Sequence, residues 1–120
     1  TGSKIPFVNE HIKTQKALKI LSQKKLGILV VRNKKRKTTG IITDGQIRRS
    51  SQKNLNFQSL QVKEIMTKNP IFVDKNVLAA KALTLMNNKK ITSLLVSNKK
   101  KPTVTIGVIH VHNILLSNIT

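Results

Sequence analysis

The stretch Gly40-Ile41-Ile42-Thr43-Asp44-Gly45-Gln46-Ile47-Arg48-Arg49 turns at Thr43 from an apolar run to polar and charged residues. A chain that leaves a strand there and enters a helix points unpaired backbone N–H groups and the positive end of the helix dipole outward. Those are the elements of an anion site, and Arg48 and Arg49 in the next turn offer bidentate forks for a phosphate or carboxylate. The same residues also start a helix: Thr43-x-x-Gln46 has the form of a capping box, in which the hydroxyl accepts from the helix and the amide reaches back. A second polar set follows an apolar strand at His110-Val111-His112-Asn113. His110 and His112 would share one face of a strand. With no Cys, no third His nearby and the four acids Glu10, Asp44, Glu64 and Asp74 scattered, the metal reading is poor. His11 lies in a polar segment and reads as solvated. Catalytic constellations are missing: there is no paired-carboxylate candidate, no cysteine nucleophile and no Ser/His/Asp set, and the five glycines are isolated rather than clustered in a phosphate loop.

The elements that must position these groups come in two copies. Phe7-Val8 recurs as Phe72-Val73, Lys16-Ala17-Leu18 as Lys81-Ala82-Leu83, Lys24-Lys25 as Lys89-Lys90 and Asn33-Lys34-Lys35 as Asn98-Lys99-Lys100, always 65 residues on. After a two-residue insertion, Gly40-Ile41-Ile42 matches Gly107-Val108-Ile109. Each copy predicts a strand with Phe-Val, then a helix whose apolar positions fall three and four apart: Ala17, Leu18 and Leu21, or Ala79, Ala80, Leu83 and Met86. Two β-branched strands follow, Ile28 to Val31 with Thr39 to Thr43, and Thr92 to Ser97 with Val104 to His110, joined by Lys/Asn turns. A second helix begins near Asp44 or Val111 and carries Ile47, or Ile114 and Leu115, inward. The class is α/β (α+β), two repeats of order strand-helix-strand-strand-helix: 1–55 the first, 56–65 a polar linker, 66–120 the second. Units of this size hold little core alone, so the copies are expected to pack on each other by pseudo-two-fold symmetry, leaving equivalent grooves lined by a strand end and a helix start.

Composition narrows the partners. The formal charge is +19, with 19 lysines and four arginines against four acids. Such a charge favours an anionic partner. Lysine, however, is a hydrated point charge poorly suited to shape-specific recognition, and its enrichment together with Ile and Asn is what an AT-rich genome produces. With Phe7, Phe57 and Phe72 as the only aromatics, no stacking platform for single strands exists, which argues against nucleic acid. No apolar run approaches the roughly 20 residues of a membrane helix. A soluble protein is expected, and the lack of cysteine fits a reducing cytoplasm. The opening Thr1-Gly2-Ser3-Lys4-Ile5-Pro6 reads as the interior of a longer chain.

The tandem order, the G-h-h-T-x-x-D-like hairpin endings (h, apolar) and Ile65-Met66-Thr67 before copy two resemble the paired cystathionine-β-synthase (CBS) domain. TGSKIPFV, LGILVV, GIITDGQIRR, VKEIMTKNP, AAKALTLMNNKKITSLLV and GVIHVHNIL are together similar to the C-terminal CBS pair of bacterial D-arabinose 5-phosphate isomerases. The resemblance covers essentially the whole chain. It implies a regulatory module that follows an N-terminal sugar isomerase domain, which interconverts D-ribulose 5-phosphate and D-arabinose 5-phosphate for 3-deoxy-D-manno-octulosonate (Kdo) and lipopolysaccharide synthesis. A homodimer of CBS pairs is implied, with a tetrameric parent, and no cofactor is required. In the superfamily the grooves hold adenosine nucleotides, the Thr hydroxyl and the Asp three residues on binding ribose and phosphate. This sequence departs from that pattern: the Asp positions are Gln46 and Asn113, and the second Thr position is His110. A neutral amide replaces two strong acceptors by one acceptor and added donors, which argues against AMP or ATP in the usual pose. Losing two negative charges beside helix starts, with Arg48, Arg49 and Lys90 near, favours a more anionic effector, such as the nucleotide sugar CMP-Kdo. The expected ligand set is Thr43, Asp44, Gly45, Gln46, Arg48, Arg49, Lys90, Thr92, Ser93, His110, His112 and Asn113. The alternatives are a structural dimerisation module with vestigial grooves, and polyanion binding by the lysine-rich surface.

Overall fold

A computed structural model describes residues 5–24, 27–53 and 56–111. The chain divides into two compact units, Thr1–Pro70 and Ile71–Thr120. In the first, β1 (Phe7–Asn9), α1 (Thr14–Lys24), β2 (Ile28–Arg32), β3 (Thr38–Thr43) and α2 (Asp44–Lys53) follow in order, and a single 3-10 turn (Phe57–Ser59), α3 (Val62–Ile65) and the two-residue β4 (Thr67–Lys68) close it. The second holds β5 (Phe72–Asp74), α4 (Ala79–Lys89), β6 (Ser93–Ser97) and β7 (Gly107–His110). Ile114 and Leu115 lie outside the described residues.

The repeat read from sequence governs the register. Phe7 pairs with Val30 across parallel β1–β2, and Phe72 with Leu95 across parallel β5–β6. Ile28 faces Thr43 across antiparallel β2–β3, and Ser93 faces His110 across β6–β7. The limits of α1 and α4 differ by the same 65 residues. The two inserted residues are absorbed in the second turn, where Val104 N–H donates to the Lys101 carbonyl at 3.1 Å, so β7 starts at Gly107 rather than at Val104. In both turns an asparagine holds the backbone. Asn33 Oδ1 accepts from the Lys35 and Lys37 N–H groups, and Asn98 Oδ1 from those of Lys100 and Lys101.

Alternation on the strands and the helical repeat build one apolar layer per unit. In the first, Val8, Leu29, Val31 and Ile42 meet Ala17 and Leu21 of α1, together with Val62. In the second, Leu94 meets Ala82 and Met86 of α4, flanked by Leu83, Leu85, Val73 and Ile109. The helical face expected of α4 is corrected here: Ala79 and Ala80 are exposed. Burial follows the i, i+4 pair Ala82–Met86, packed with Leu94 of β6, while Leu78, just before the helix, is 73% exposed.

The polar segment 56–65 is not a free linker. Phe57 and Val62 are buried in the first unit, because a few apolar side chains among Asn, Gln and Ser suffice to seat it at the edge of the core. Thr14 N–H and Oγ1 both donate to the Leu60 carbonyl, at 2.8 and 2.9 Å, and Val62 and Lys63 N–H donate to the Ile12 and Glu10 carbonyls, each at 2.8 Å. Gln61 and Glu64 form a reciprocal cap on α3. Met66 to Pro70 belongs with the first unit as well, since Thr67 and Lys68 pair with Ile41 and Gly40 on the open edge of β3. That approach requires glycine at position 40, where a Cβ would stand 2.6 Å from Met66 Sδ and 2.7 Å from the Thr67 carbonyl oxygen. Among the described residues no helix is long and apolar enough to cross a membrane.

Candidate ligand-binding site

In the first unit β3 ends at Thr43 and α2 begins at Asp44 without an intervening loop. The Thr43 hydroxyl accepts from the Gln46 N–H at 3.3 Å, which caps the helix. The reciprocal half of the expected capping box is not made. The Gln46 side chain turns inward, 9% exposed, and its Nε2 donates to the Ile65 carbonyl at the end of α3. Its Oε1 is buried with no hydrogen-bond partner among the described residues. The neutral amide explains the direction: it has a proton for a carbonyl, which a carboxylate lacks.

Around this start Asp44, Arg48 and Arg49 are exposed. Arg49 lies back along the helix, its Nη1 3.5 Å from where a Cβ on Gly45 would stand. No lysine or arginine lies within ion-pair distance of a carboxylate among the described residues. The two guanidinium groups are therefore without a carboxylate partner among the described residues.

In the second unit the equivalent place holds Thr92 and Ser93 at the start of β6 and His110 at the end of β7. Ser93 is buried and directly opposite His110. Thr92 is exposed, and its carbonyl accepts from the N–H of Val111 at 2.9 Å. Lys90 caps the C-terminus of α4 in a left-handed conformation, φ 58°, with its side chain exposed. His112 and Asn113 lie outside the described residues. The structure thus gathers Thr43, Asp44, Gly45, Gln46, Arg48 and Arg49 in one unit and Lys90, Thr92, Ser93 and His110 in the other.

Sequence reasoning overlooked Gly27 and Ile65. The Asp44 N–H donates to the Gly27 carbonyl at 3.3 Å, the counterpart of the bond from Val111 to Thr92. Gly27 has φ 73°, and a Cβ there would meet Asp44 Oδ2 at 3.3 Å. The 65-residue offset from Thr92 was the signal that could have found it. Ile65 left no such signal, because it acts through its backbone. His11 is exposed, as expected of its polar segment, with Nδ1 3.1 Å from Gln61 Oε1 and Nε2 3.5 Å from Glu10 Oε1. The packed 57–65 segment brings in Gln61, and Glu10 is the neighbour in sequence.

The model of a family described as CBS domain matches residues 2–53 and 62–117. An arabinose 5-phosphate isomerase, KdsD of Salmonella typhi, is 36% identical over 119 residues, which cover 99% of this chain and 35% of that protein. KdsD of Escherichia coli (strain K12) is 32% identical over the same shares, and an uncharacterized protein of Rickettsia prowazekii, RP505, is 34% identical over 96% of this chain and 34% of its own. The chain thus spans about a third of the length of these curated relatives. Among solved structures, a CBS domain protein, NE2398, superposes with a TM-score of 0.88 at 24% identity, covering 99% of this chain and 91% of that one. The CBS domain protein PAE2072 of Pyrobaculum aerophilum, complexed with AMP, gives 0.83 at 18% identity, covering 98% and 92%.

Proposed function

Because the chain belongs to the CBS domain family, we propose that it is the ligand-sensing regulatory pair of a longer arabinose 5-phosphate isomerase. The observation that carries this reading is the alignment: 99% of the chain matches an isomerase of which it covers 35%. A CBS pair is not itself a catalytic domain, so interconversion of D-ribulose 5-phosphate and D-arabinose 5-phosphate falls to the remainder of the parent, an N-terminal sugar isomerase domain. The parent works in the cytoplasm, as a homodimer of CBS pairs within a larger assembly.

The ligand is an anionic nucleotide or nucleotide sugar, of which CMP-Kdo is the candidate with a regulatory rationale. Support comes from the repeated strand-end and helix-start clusters and from Arg48 and Arg49, exposed and without carboxylate partners among the described residues. Helix N–H groups and guanidinium forks favour phosphate and carboxylate oxygens. Binding acts through differential affinity for two arrangements of the attached enzyme, a coupling of about 1–3 kcal/mol in ordinary allosteric systems. Thermal unfolding of the 120-residue chain with AMP, ATP, CMP and CMP-Kdo tests this. A ligand at about a hundred times its Kd raises stability by about 2.7 kcal/mol, and CMP-Kdo should give the largest rise. No rise with any of the four at millimolar concentration would sink sensing.

One observation favours a second reading, a structural dimerisation module. Gln46, where the family pattern has an acid, donates into the protein at Ile65 instead of facing outward. Under this reading the mass in solution is dimeric with or without nucleotide, and none of the four ligands shifts the melting curve.

A further inference from the structure

We infer that Gln46 is a positioning residue, a fastener that ties the start of α2 to the end of α3 and so holds the candidate site against the α3–β4 segment. This inference rests on packing alone and stands independently of any ligand.

Gln46 sits three residues after Thr43, to whose hydroxyl oxygen its backbone N–H donates, and its side-chain amide donates to the carbonyl of Ile65, nineteen residues on. Ile65 is the last residue of α3. Met66 N–H then donates to the Val62 carbonyl at 2.9 Å, and Thr67 and Lys68 pair with β3. The bond to Ile65 is therefore one side of a closed circuit: β3 leads into α2, Gln46 bridges to α3, and β4 returns to β3. Removing that side leaves the strand pairing intact but frees the start of α2 to shift against it.

The chemistry at position 46 is selective. The Ile65 carbonyl needs a donor, and a buried side chain here must also bear no charge. Glutamine meets both demands at the cost of one orphaned acceptor, Oε1. A carboxylate fails both: it has no proton to give and two oxygens to keep solvated. An ionised carboxylate at this position leaves the Ile65 carbonyl unpaired, and only its protonated form can replace the amide there. The identity of residue 46 therefore decides whether the side chain binds the protein or whatever lies outside, and in this chain it binds the protein.

The sign of the pH dependence follows. In Gln46→Glu, a buried carboxyl facing a carbonyl oxygen has its folded-state pKa raised above the unfolded value of about 4.3. The protonated form can donate to Ile65. Stability is thus present below that unfolded pKa and lost as pH rises through the folded pKa.

The test uses the 120-residue chain with Gln46→Glu and the near-isosteric Gln46→Met, melted across a pH series and compared with the unsubstituted protein at each pH. Gln46→Glu is expected to melt several degrees lower at neutral pH and to recover most of that gap on acidification, whereas Gln46→Met loses stability at every pH without recovery. In the unsubstituted protein, NMR should show the Gln46 side-chain amide exchanging at least tenfold more slowly than that of the exposed Gln15. Should Gln46→Glu be unfolded at neutral pH, folding on acidification supports the fastener. Failure to fold at any pH, beside a folded Gln46→Met, overturns it. The inference is equally overturned if Gln46→Glu melts with the unsubstituted protein at neutral pH, or if the two glutamine amides exchange alike. None of these readouts involves a ligand, so failure of nucleotide binding and failure of the fastener are distinguishable.

Discussion

Gly40 and Gly107 occupy equivalent positions in the two copies, and their surroundings make opposite demands. A Cβ on Gly40 would collide with Met66 and the Thr67 carbonyl, whereas one on Gly107 would meet Val96 Cβ at 3.4 Å, an ordinary contact. Gly40→Ala should therefore cost about 1–3 kcal/mol, in the range of overpacked cores, and Gly107→Ala should be close to neutral. Urea unfolding of the two variants measures the contrast, and equal losses would mean that β4 does not press on β3. Sequence shows both glycines as the same letter in the same motif. The difference arises because β4, two residues long, closes on the first copy's sheet and has no described counterpart on the second. Gln46 teaches the same lesson: its position in the motif was legible, but the partner it donates to is a backbone carbonyl that no side-chain pattern announces.

At the scale of elements, the repeat predicted the strand-helix-strand order and the hairpin in both copies, since each follows from local periodicity; the parallel pairing of β1 with β2 and of β5 with β6, and the register, came from the structure. The repeat was less informative about which helical face is inward. In α4 the alanines at 79, 80 and 82 have identical side chains, and only packing decides among them: Ala82 meets Met86 and Leu94, whereas Ala79 and Ala80 are exposed. Met86→Ala, removing a side chain 1% exposed, should cost about 2–5 kcal/mol, while Ala80→Ser on the exposed first turn should stay within about 0.5 kcal/mol. Comparable losses by chemical denaturation would contradict the phase of α4. The segment 56–65 departs from what its composition suggests for a related reason. Its composition is polar, but two buried side chains, Phe57 and Val62, and backbone bonds to Glu10, Ile12 and Thr14 are enough to order it. Composition averages over a window, whereas docking depends on single anchors.

At the scale of the whole molecule, charge governs how stability responds to salt. With a formal charge of +19 and no lysine or arginine paired with a carboxylate among the described residues, added salt has much repulsion to screen and few attractions to weaken. The melting temperature should therefore rise as ionic strength is raised from low to physiological values, where the Debye length is about 8 Å. A fall would reveal favourable ion pairs at work. The sequence by itself determined the duplication, the strand and helix order, the excess charge and the place of the polar clusters at strand ends, because these depend on local periodicity and on residue type. Only the tertiary structure decided that Gln46 faces inward, that Gly40 has no room for a side chain, and that 56–70 belongs to the first unit. Those outcomes hang on which backbone atoms come within hydrogen-bonding or van der Waals distance, a property of the closed fold that no local pattern of side chains encodes.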